Sequence, residues 1–300
     1  MAVRKKTSSY NFPSPGDNPH LVGHSQILKT FNDAWARRDE YPIHPVWLLS
    51  GARGIGKATL AHQIAKKVYG NVGDFFIIDM DHNIDKDGKP KTDGKVISVY
   101  TVRAMIEKMQ MSAMSGEWRV ILIDSVDELN AQASNAMLKL LEEPPEKTLF
   151  LLVVHQLGRT LPTIRSRARV EKLRPLTITE LRELCIKFIP DEEISTAMLR
   201  LANGSFGKIA DLKNSGGDEI YESLLELLQN PRANSADAMA IARKIAPAPE
   251  LHGILLDAIA HFGLADLYPA AAQSLNNIAT VYLEPEIGIF KIISDIKKCL

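Results

Sequence analysis

The run Gly51-Ala52-Arg53-Gly54-Ile55-Gly56-Lys57-Ala58-Thr59 stands between an apolar stretch, Val46-Trp47-Leu48-Leu49, and a segment of helical spacing from Lys57 to Tyr69. Glycines let backbone N–H groups curl around a phosphate without Cβ clashes. The N-terminus of the following helix adds the positive end of its dipole, and Lys57 is spaced to reach β- and γ-phosphates. Gly51, Gly54, Ile55, Gly56, Lys57, Ala58 and Thr59 are therefore the candidate nucleotide-binding residues. One position departs from the pattern. The slot after the lysine usually carries a hydroxyl for Mg²⁺ and here holds Ala58. Thr59 is one residue on, about 100° further round a helix, and is expected to face elsewhere. Nucleotide binding through the backbone and Lys57 is expected, with weakened metal ligation.

A second candidate closes the apolar run Val120-Ile121-Leu122-Ile123, which ends in Asp124. In a nucleotide-binding parallel sheet the C-terminal strand tips face the phosphates. Asp124 is thus placed to hold Mg²⁺ directly or through water, although a turn or capping aspartate would occupy the same position. A hydrolytic site of this kind usually has Glu next, to polarise water. Here Ser125 follows, and a hydroxyl is a poor general base near neutral pH. Asp127 and Glu128 are expected beyond the strand tip, in the turn before the next helix.

The elements that must position these residues follow from the apolar pattern. Short continuous apolar runs at Val46–Leu49, Phe75–Ile78, Val120–Ile123 and Leu149–Val154 read as buried strands. Helical spacing recurs at Ser25–Arg38, Lys57–Tyr69, Val102–Met114 and Ala131–Leu141. Strands alternating with helices predict an α/β fold with a mostly parallel sheet. Past Pro175 no strand-like run remains, and Thr179–Ile189, Asp191–Ala202 and Phe206–Asn214 read as helices. Ser215-Gly216-Gly217 is the expected hinge or linker, followed by helical patterning to Leu300.

The 300 residues are enough for two or three domains. Two cysteines, Cys185 and Cys299, exclude a disulfide framework and a cysteine-rich zinc site, and fit a reducing, cytoplasmic setting. No apolar run approaches a membrane span, and the basic N-terminus lacks the apolar stretch of a signal peptide. Net charge is zero, but residues 1–175 carry 25 Lys and Arg against 19 Asp and Glu, whereas residues 176–300 carry 11 against 17. A moderately basic half can help to steer an anionic ligand, yet it is too weak to mark the lone chain as a nucleic-acid binder.

Three further blocks carry a family resemblance. Ile123-Asp124-Ser125-Val126-Asp127-Glu128-Leu129-Asn130, Ala133-Ser134-Asn135-Ala136-Met137-Leu138-Lys139-Leu140-Leu141-Glu142-Glu143-Pro144-Pro145 and Leu161-Pro162-Thr163-Ile164-Arg165-Ser166-Arg167 resemble the clamp-loader AAA+ ATPases. Together with the Gly54–Ala61 stretch and Ile97-Ser98-Val99, the match is to the delta-prime branch of bacterial DNA polymerase III. It covers about residues 20–210 and fades beyond 215.

The resemblance implies an AAA+ P-loop parallel sheet domain over 21–175, behind a loose arm at 1–20. A small helical lid follows at 176–214, and an all-helical oligomerisation collar at 215–300. It implies a hetero-pentameric ring with other clamp-loader subunits, which opens a sliding clamp and places it on primer-template DNA, with no membrane involved. ATP or ADP with Mg²⁺ sits at subunit interfaces, and a neighbour supplies an arginine from a Ser-Arg-Cys motif. That motif reads Ser166-Arg167-Ala168 here, which makes Arg167 the candidate arginine finger acting in trans. Without the motif, Arg165, Arg167 and Arg169 read as the basic edge of a strand. Gly204-Ser205-Phe206-Gly207-Lys208 resembles the lid sensor, with Lys208 as a candidate phosphate contact, although a plain helix N-terminus would look the same. His155-Gln156 falls where a polar sensor follows the fourth strand, and Val22-Gly23 resembles a segment near adenine. The four-cysteine zinc module of the motor subunits has no counterpart in Asp74–Lys95, so no zinc is expected there.

Other features are set aside. Asn83-x-Asp85-x-Asp87-Gly88 is a fragment of a calcium loop, but the twelfth position is Gly94 rather than Glu; a turn-rich hairpin is expected instead. Met105 and Met109 share helical spacing and read as core, while Met111 and Met114 extend the methionine run. Leu224, Leu225, Leu227, Leu228, Ile254, Leu255 and Ile259 are candidates for an apolar collar face, or for a plain core. Two functions compete, with an unrelated P-loop kinase or transferase as a distant third for which the sequence shows no phospho-acceptor or lid segment. In one, a structural subunit hydrolyses little ATP and donates Arg167. In the other, an active motor uses Asp127 or Glu128 as its base.

Overall fold

The structure is a computed structural model, described for residues 12–70, 73–91, 96–111, 117–190, 194–280 and 284–300. Most of the expected arm, together with Gly94, Met114 and Asp191, lies outside the described residues. The described chain divides into two compact units, residues 13–184 and residues 185–300, the latter including Phe12.

The first unit is an α/β domain. Its elements run α1 (Ser25–Ala36), β1 (Val46–Ser50), α2 (Lys57–Tyr69), β2 (Asp74–Ile78), α3 (Val99–Met111), β3 (Arg119–Asp124), α4 (Ala131–Glu142), β4 (Thr148–Val154), α5 (Pro162–Arg165) and β5 (Arg169–Lys172). The five strands form one parallel sheet in the order β2-β3-β4-β1-β5. β1 and β4 are buried along their whole length because both sheet faces are covered. Alternation then sorts their side chains. Trp47, Leu49, Leu151 and Val153 join Phe31, Leu60 and Ile64 of α1 and α2 on one face. Leu48, Phe150 and Leu152 join Val102, Met105, Met109 and Met137 of α3 and α4 on the other. Met105 and Met109 are core, as expected.

β5 is a fifth strand beyond the four apolar runs. It is short and three of its four residues are charged, so hydropathy alone does not mark it. Its neighbour β1 pairs Trp47 with Arg169, and the Arg169 guanidinium lies 4.4 Å from the Trp47 ring centroid. This cation–π contact accounts for an arginine on a strand packed against the core. The expected alternation of Arg165, Arg167 and Arg169 along one strand does not form. Arg165 ends α5, Arg167 lies in the following turn and only Arg169 is in β5. Pro162 starts α5 and favours the helical turn there.

Between β2 and α3 the chain forms a small hairpin, closed by an antiparallel bridge of Ile84 to Pro90. Asp85 Oδ1 accepts from the N–H groups of Asp87 and Lys89, both at 2.9 Å, so its carboxylate serves the turn itself.

The second unit is helical. α6 (Ile178–Phe188) begins in the first unit and ends in the second. It is followed by α7 (Thr196–Leu201), α8 (Phe206–Asn214), α9 (Gly217–Gln229), α10 (Ser235–Ile245), α11 (Gly253–His261), α12 (Tyr268–Thr280) and α13 (Pro285–Lys298). Ser215-Gly216 is a tight turn rather than a loose linker. Gly216 adopts φ +67° and Gly217 opens α9, where a Cβ would meet Leu251 at 2.6 Å and Leu212 at 2.8 Å. Leu224, Leu227, Leu228, Ile254, Leu255 and Ile259 are buried inside this unit, so they form its core and not an exposed face. Lys297 Nζ donates to the carbonyls of Asn230 (3.1 Å) and Ala233 (2.6 Å), anchoring α13 to the end of α9. No described helix is long and apolar enough to cross a membrane.

Candidate nucleotide site and the Arg167 turn

Sheet register brings the candidates to one end of the first unit. Ser50 pairs with Val154 and Asp124 with Val153, so the tips of β1, β4 and β3 are neighbours. The phosphate-loop residues follow β1 directly. Gly51 is required by space, since a Cβ there would lie 2.7 Å from the Leu173 carbonyl oxygen. Gly56 is required by conformation. Its φ is +101°, while an added Cβ would meet nothing closer than 3.7 Å. No backbone N–H from Gly54 to Thr59 has an acceptor among the described residues. Unpaired donors at a helix start form a cradle for an anion.

Lys57 opens α2 and is 3% exposed. Its Nζ donates to the Ala52 carbonyl at 2.6 Å, across the loop. Burial pulls its pKa down to about 8 against the favourable charges of Asp124 and Asp127. Asp124 is pushed up to about 6, also by burial, with Lys57 the main opposing charge. The two residues therefore feel each other in a poorly solvated site. Ala58 is half-buried, and Thr59 is buried.

Past Asp124 the chain forms a 3-10 turn, Val126–Glu128, as expected for those acids. The Asp127 carboxylate accepts from His155 N–H (3.1 Å) and Gln156 N–H (2.9 Å), one on each oxygen. It thereby ties the tip of β4 to the turn after β3. Glu128 lies 3.8 Å from Arg53 of the loop. Ser125 Oγ and His155 Nδ1 are buried with no hydrogen-bond partner in the described structure. Burial and the nearby Lys57 charge lower His155 to about 4, leaving its ring neutral at physiological pH.

Three further contacts involve residues that the sequence did not mark as site candidates. His24, just before α1, places its Nε2 2.8 Å from the Ile55 carbonyl. Asn83, in the hairpin, accepts on Oδ1 from Ser98 N–H and Thr101 Oγ1, both at 2.9 Å. Ile97 then bonds Glu128 and Asn130 through its backbone, linking the hairpin to the turn beyond Asp124. Glu142, at the end of α4, forms an ion pair with Arg167.

The Arg167 turn is a different place. Arg167 also donates to the Thr163 carbonyl at 2.9 Å, and its side chain is 31% exposed. Beside it, a groove of about 420 Å³ is lined by Leu157, Pro162, Arg165, Ser166, Val170 and Lys172. Lys208 belongs to the helical unit. It lies in the first turn of α8, where its Nζ donates to the Leu201 carbonyl at 3.1 Å. Gly23 is packed tightly, a Cβ there meeting Leu176 at 2.5 Å.

Comparison with known proteins agrees with this fold. A family model described as DNA polymerase III, delta subunit, matches residues 23–177. The chain is similar to DNA polymerase III subunit delta' of Pseudomonas aeruginosa, 30% identical over 261 residues, or 74% of this chain and 76% of that protein. It is also similar to DNA polymerase III subunit gamma of Buchnera aphidicola (subsp. Acyrthosiphon pisum), 30% identical over 191 residues. That match takes in 57% of this chain and spans about half of the relative, 51%. Among solved structures, a DNA polymerase III gamma subunit-related protein of Thermotoga maritima aligns with a TM-score of 0.54 at 16% identity, covering 92% of this chain and 99% of that one. At such identity the likeness is one of fold. With the parallel sheet, the phosphate loop and a family match over more than half its length, the chain belongs to the clamp-loader AAA+ family, in the branch described as DNA polymerase III, delta subunit.

Proposed function

We propose that this chain is a delta-prime-like subunit of the bacterial DNA polymerase III clamp loader. In that role it helps to load the sliding clamp on primed DNA, donates Arg167 to the nucleotide of a neighbouring subunit, and hydrolyses little or no ATP itself. One observation carries the reading: the catalytic positions are emptied at two points while the fold around them is kept. Ala58 stands where a metal-binding hydroxyl is needed, and Ser125 where a base is needed.

The chain's own residues suit phosphate better than metal. The free N–H groups of Gly54–Thr59 and the Lys57 ammonium fit the oxygens of an ATP or ADP chain. Mg²⁺, when bound, would neutralise phosphate charge, and Asp124 is the one candidate to hold it. The rival reading, an active motor, needs Asp127 or Glu128 as the base. Asp127 has an N–H on each oxygen, which occupies its carboxylate, and both Asp127 and Glu128 lie in the turn beyond the strand tip rather than at the Ser125 position. Lys208, a candidate phosphate contact, donates its Nζ to the Leu201 carbonyl within the helical unit.

Partners follow from the role: other loader subunits in a hetero-pentameric cytoplasmic ring, with residues 215–300 as the collar and 176–214 as the lid. The sliding clamp and primer-template DNA are then met by the assembly, which shares DNA contacts among subunits. The test is ATP turnover by a reconstituted loader carrying Arg167→Ala, beside the isolated wild-type chain. The proposal expects an inactive isolated chain and a slowed but assembled loader. Rapid turnover by the isolated chain, abolished by Lys57→Ala, would favour the motor.

A further inference from the structure

We propose that His24 is a positioning residue for the phosphate loop: it holds the Ile55–Gly56 peptide so that the Gly56 N–H faces a bound phosphate. The proposal rests on the reading that the loop binds nucleotide, and it adds a residue outside the loop to that site.

The argument begins with a weakness of the loop. Gly56 has φ +101° and ψ 15°, and a glycine lets its neighbouring peptide planes rotate with little steric resistance. If the Ile55–Gly56 peptide turned over, the Ile55 carbonyl would take the place of the Gly56 N–H. A carbonyl oxygen would then meet a phosphate oxygen, replacing attraction by repulsion. Nothing within the glycine-rich segment prevents this. The Gly56 N–H itself has no acceptor among the described residues.

His24 supplies the missing restraint. Its Nε2 lies 2.8 Å from the Ile55 carbonyl oxygen, and since a carbonyl only accepts, Nε2 carries the proton. The peptide is trans, so fixing its C=O toward His24 turns its N–H the other way. The ring is 2% exposed, and a Cβ on Gly56 would be 3.7 Å from His24 Cδ2, so the imidazole sits directly against the loop. Turning the peptide over would strand a buried N–H donor with no water to replace its acceptor. The platform is rigid. His24 immediately precedes α1, whose Phe31 and Trp35 are buried against the sheet. Burial lowers the pKa of His24, so the ring is neutral at pH 7 and its hold on the carbonyl does not depend on a positive charge.

The test compares the full chain as wild type, His24→Leu and His24→Gln. Leucine fills space without a donor, whereas the glutamine amide can donate from near the Nε2 position. Affinity for MgADP is measured by calorimetry, thermal unfolding is followed in parallel, and the Gly56 amide is observed by NMR without nucleotide. The expected result is an ADP affinity about tenfold weaker for His24→Leu, recovered to within about threefold by His24→Gln. The Gly56 amide signal should shift in His24→Leu and return in His24→Gln, with similar melting temperatures throughout. Equal affinity for wild type and His24→Leu would overturn the proposal, as would equal losses in both variants. If wild type binds no MgADP, the nucleotide reading fails separately, and the Gly56 signal decides. A signal moved by leucine and restored by glutamine supports the latch; a signal unchanged by leucine refutes it.

Discussion

Lys57 and Arg167 are both cations held by a backbone carbonyl, but their surroundings differ. Lys57 is 3% exposed and bonded across its own loop to Ala52, and burial has pulled its pKa down to about 8. Arg167 has a side chain 31% exposed, lies in a turn at the end of a four-residue helix, and pairs with an exposed Glu142. A buried ammonium is prepared to meet a ligand that enters its own site and replaces the lost solvation. An arginine at the surface is suited to a charge brought from outside, because exposed ion pairs are weak and easily exchanged. On the proposed function, the two ends of the domain would serve complementary tasks: one would receive phosphate, and the other would be offered to a neighbour.

The largest expected effect separates these tasks. Arg167→Ala should slow ATP turnover of the assembled loader by about 10³-fold or more, the scale of arginine fingers, and leave ADP affinity of the isolated chain within about twofold. Turnover assays with sizing of the complex check this, and an unaffected loader removes the trans role. Lys57→Ala should do the reverse. Isothermal titration should show ADP affinity of the isolated chain falling by about 10²-fold while assembly persists, since one charge-assisted contact is lost from a buried site.

Asn83→Ala asks whether the hairpin supports only the phosphate side. It leaves Ser98 N–H without its acceptor, removes the Asn83 Nδ2 bond to the Val96 carbonyl (3.0 Å), and should cost about 2 kcal/mol in urea unfolding. The effect should be seen first as slowed or weakened nucleotide binding, because Ile97 joins this network to the turn after Asp124. The smallest effect is a pH profile. In the nucleotide-free chain Lys57 loses its proton as pH rises through about 8, and Asp124 gains one as pH falls through about 6. MgADP affinity should therefore be level between these values and decline on both sides. Chelating Mg²⁺ should remove the acid limb and keep the alkaline one. A profile that is flat to pH 9 would detach Lys57 from phosphate binding.

Protonation also shifts folding stability. Asp124 is raised above its ordinary carboxylate value, so the folded chain binds more protons than the unfolded one between about pH 4 and 6. This group contributes added stability as pH falls through that window and none of it at pH 7.

The sheet was legible wherever strands are buried on both faces, because burial forces continuous apolar runs. β1, β3 and β4 stand close to where their residues predict them. β5 was not legible. Its residues Arg169-Val170-Glu171-Lys172 look like a polar edge, and Arg169 is retained there by the Trp47 ring, a partner 122 positions away in sequence. Ser215-Gly216-Gly217 has linker composition, yet Gly217 is glycine because Leu212 and Leu251 leave no room for a side chain. The leucines of α9 and α11 served equally for a core or a docking face, and packing within the helical unit made Leu224, Leu227, Leu228 and Leu255 core, with Leu225 only half-buried.

The sequence by itself determined the phosphate loop, the aspartate at the β3 tip, the two substitutions at Ala58 and Ser125, and the blocks that place the chain in its family. Each depends on local order: a strand, a turn and a helix start in succession, read within a few residues. Only the tertiary structure decided that His24 grips Ile55, that Asp127 is occupied by the backbone beyond β4, and that Glu142 holds Arg167. These contacts join residues 25 to 31 positions apart. They exist because parallel strands bring distant chain segments together at the two ends of the sheet, where short-range hydrogen bonds and charges act on whatever the fold delivers.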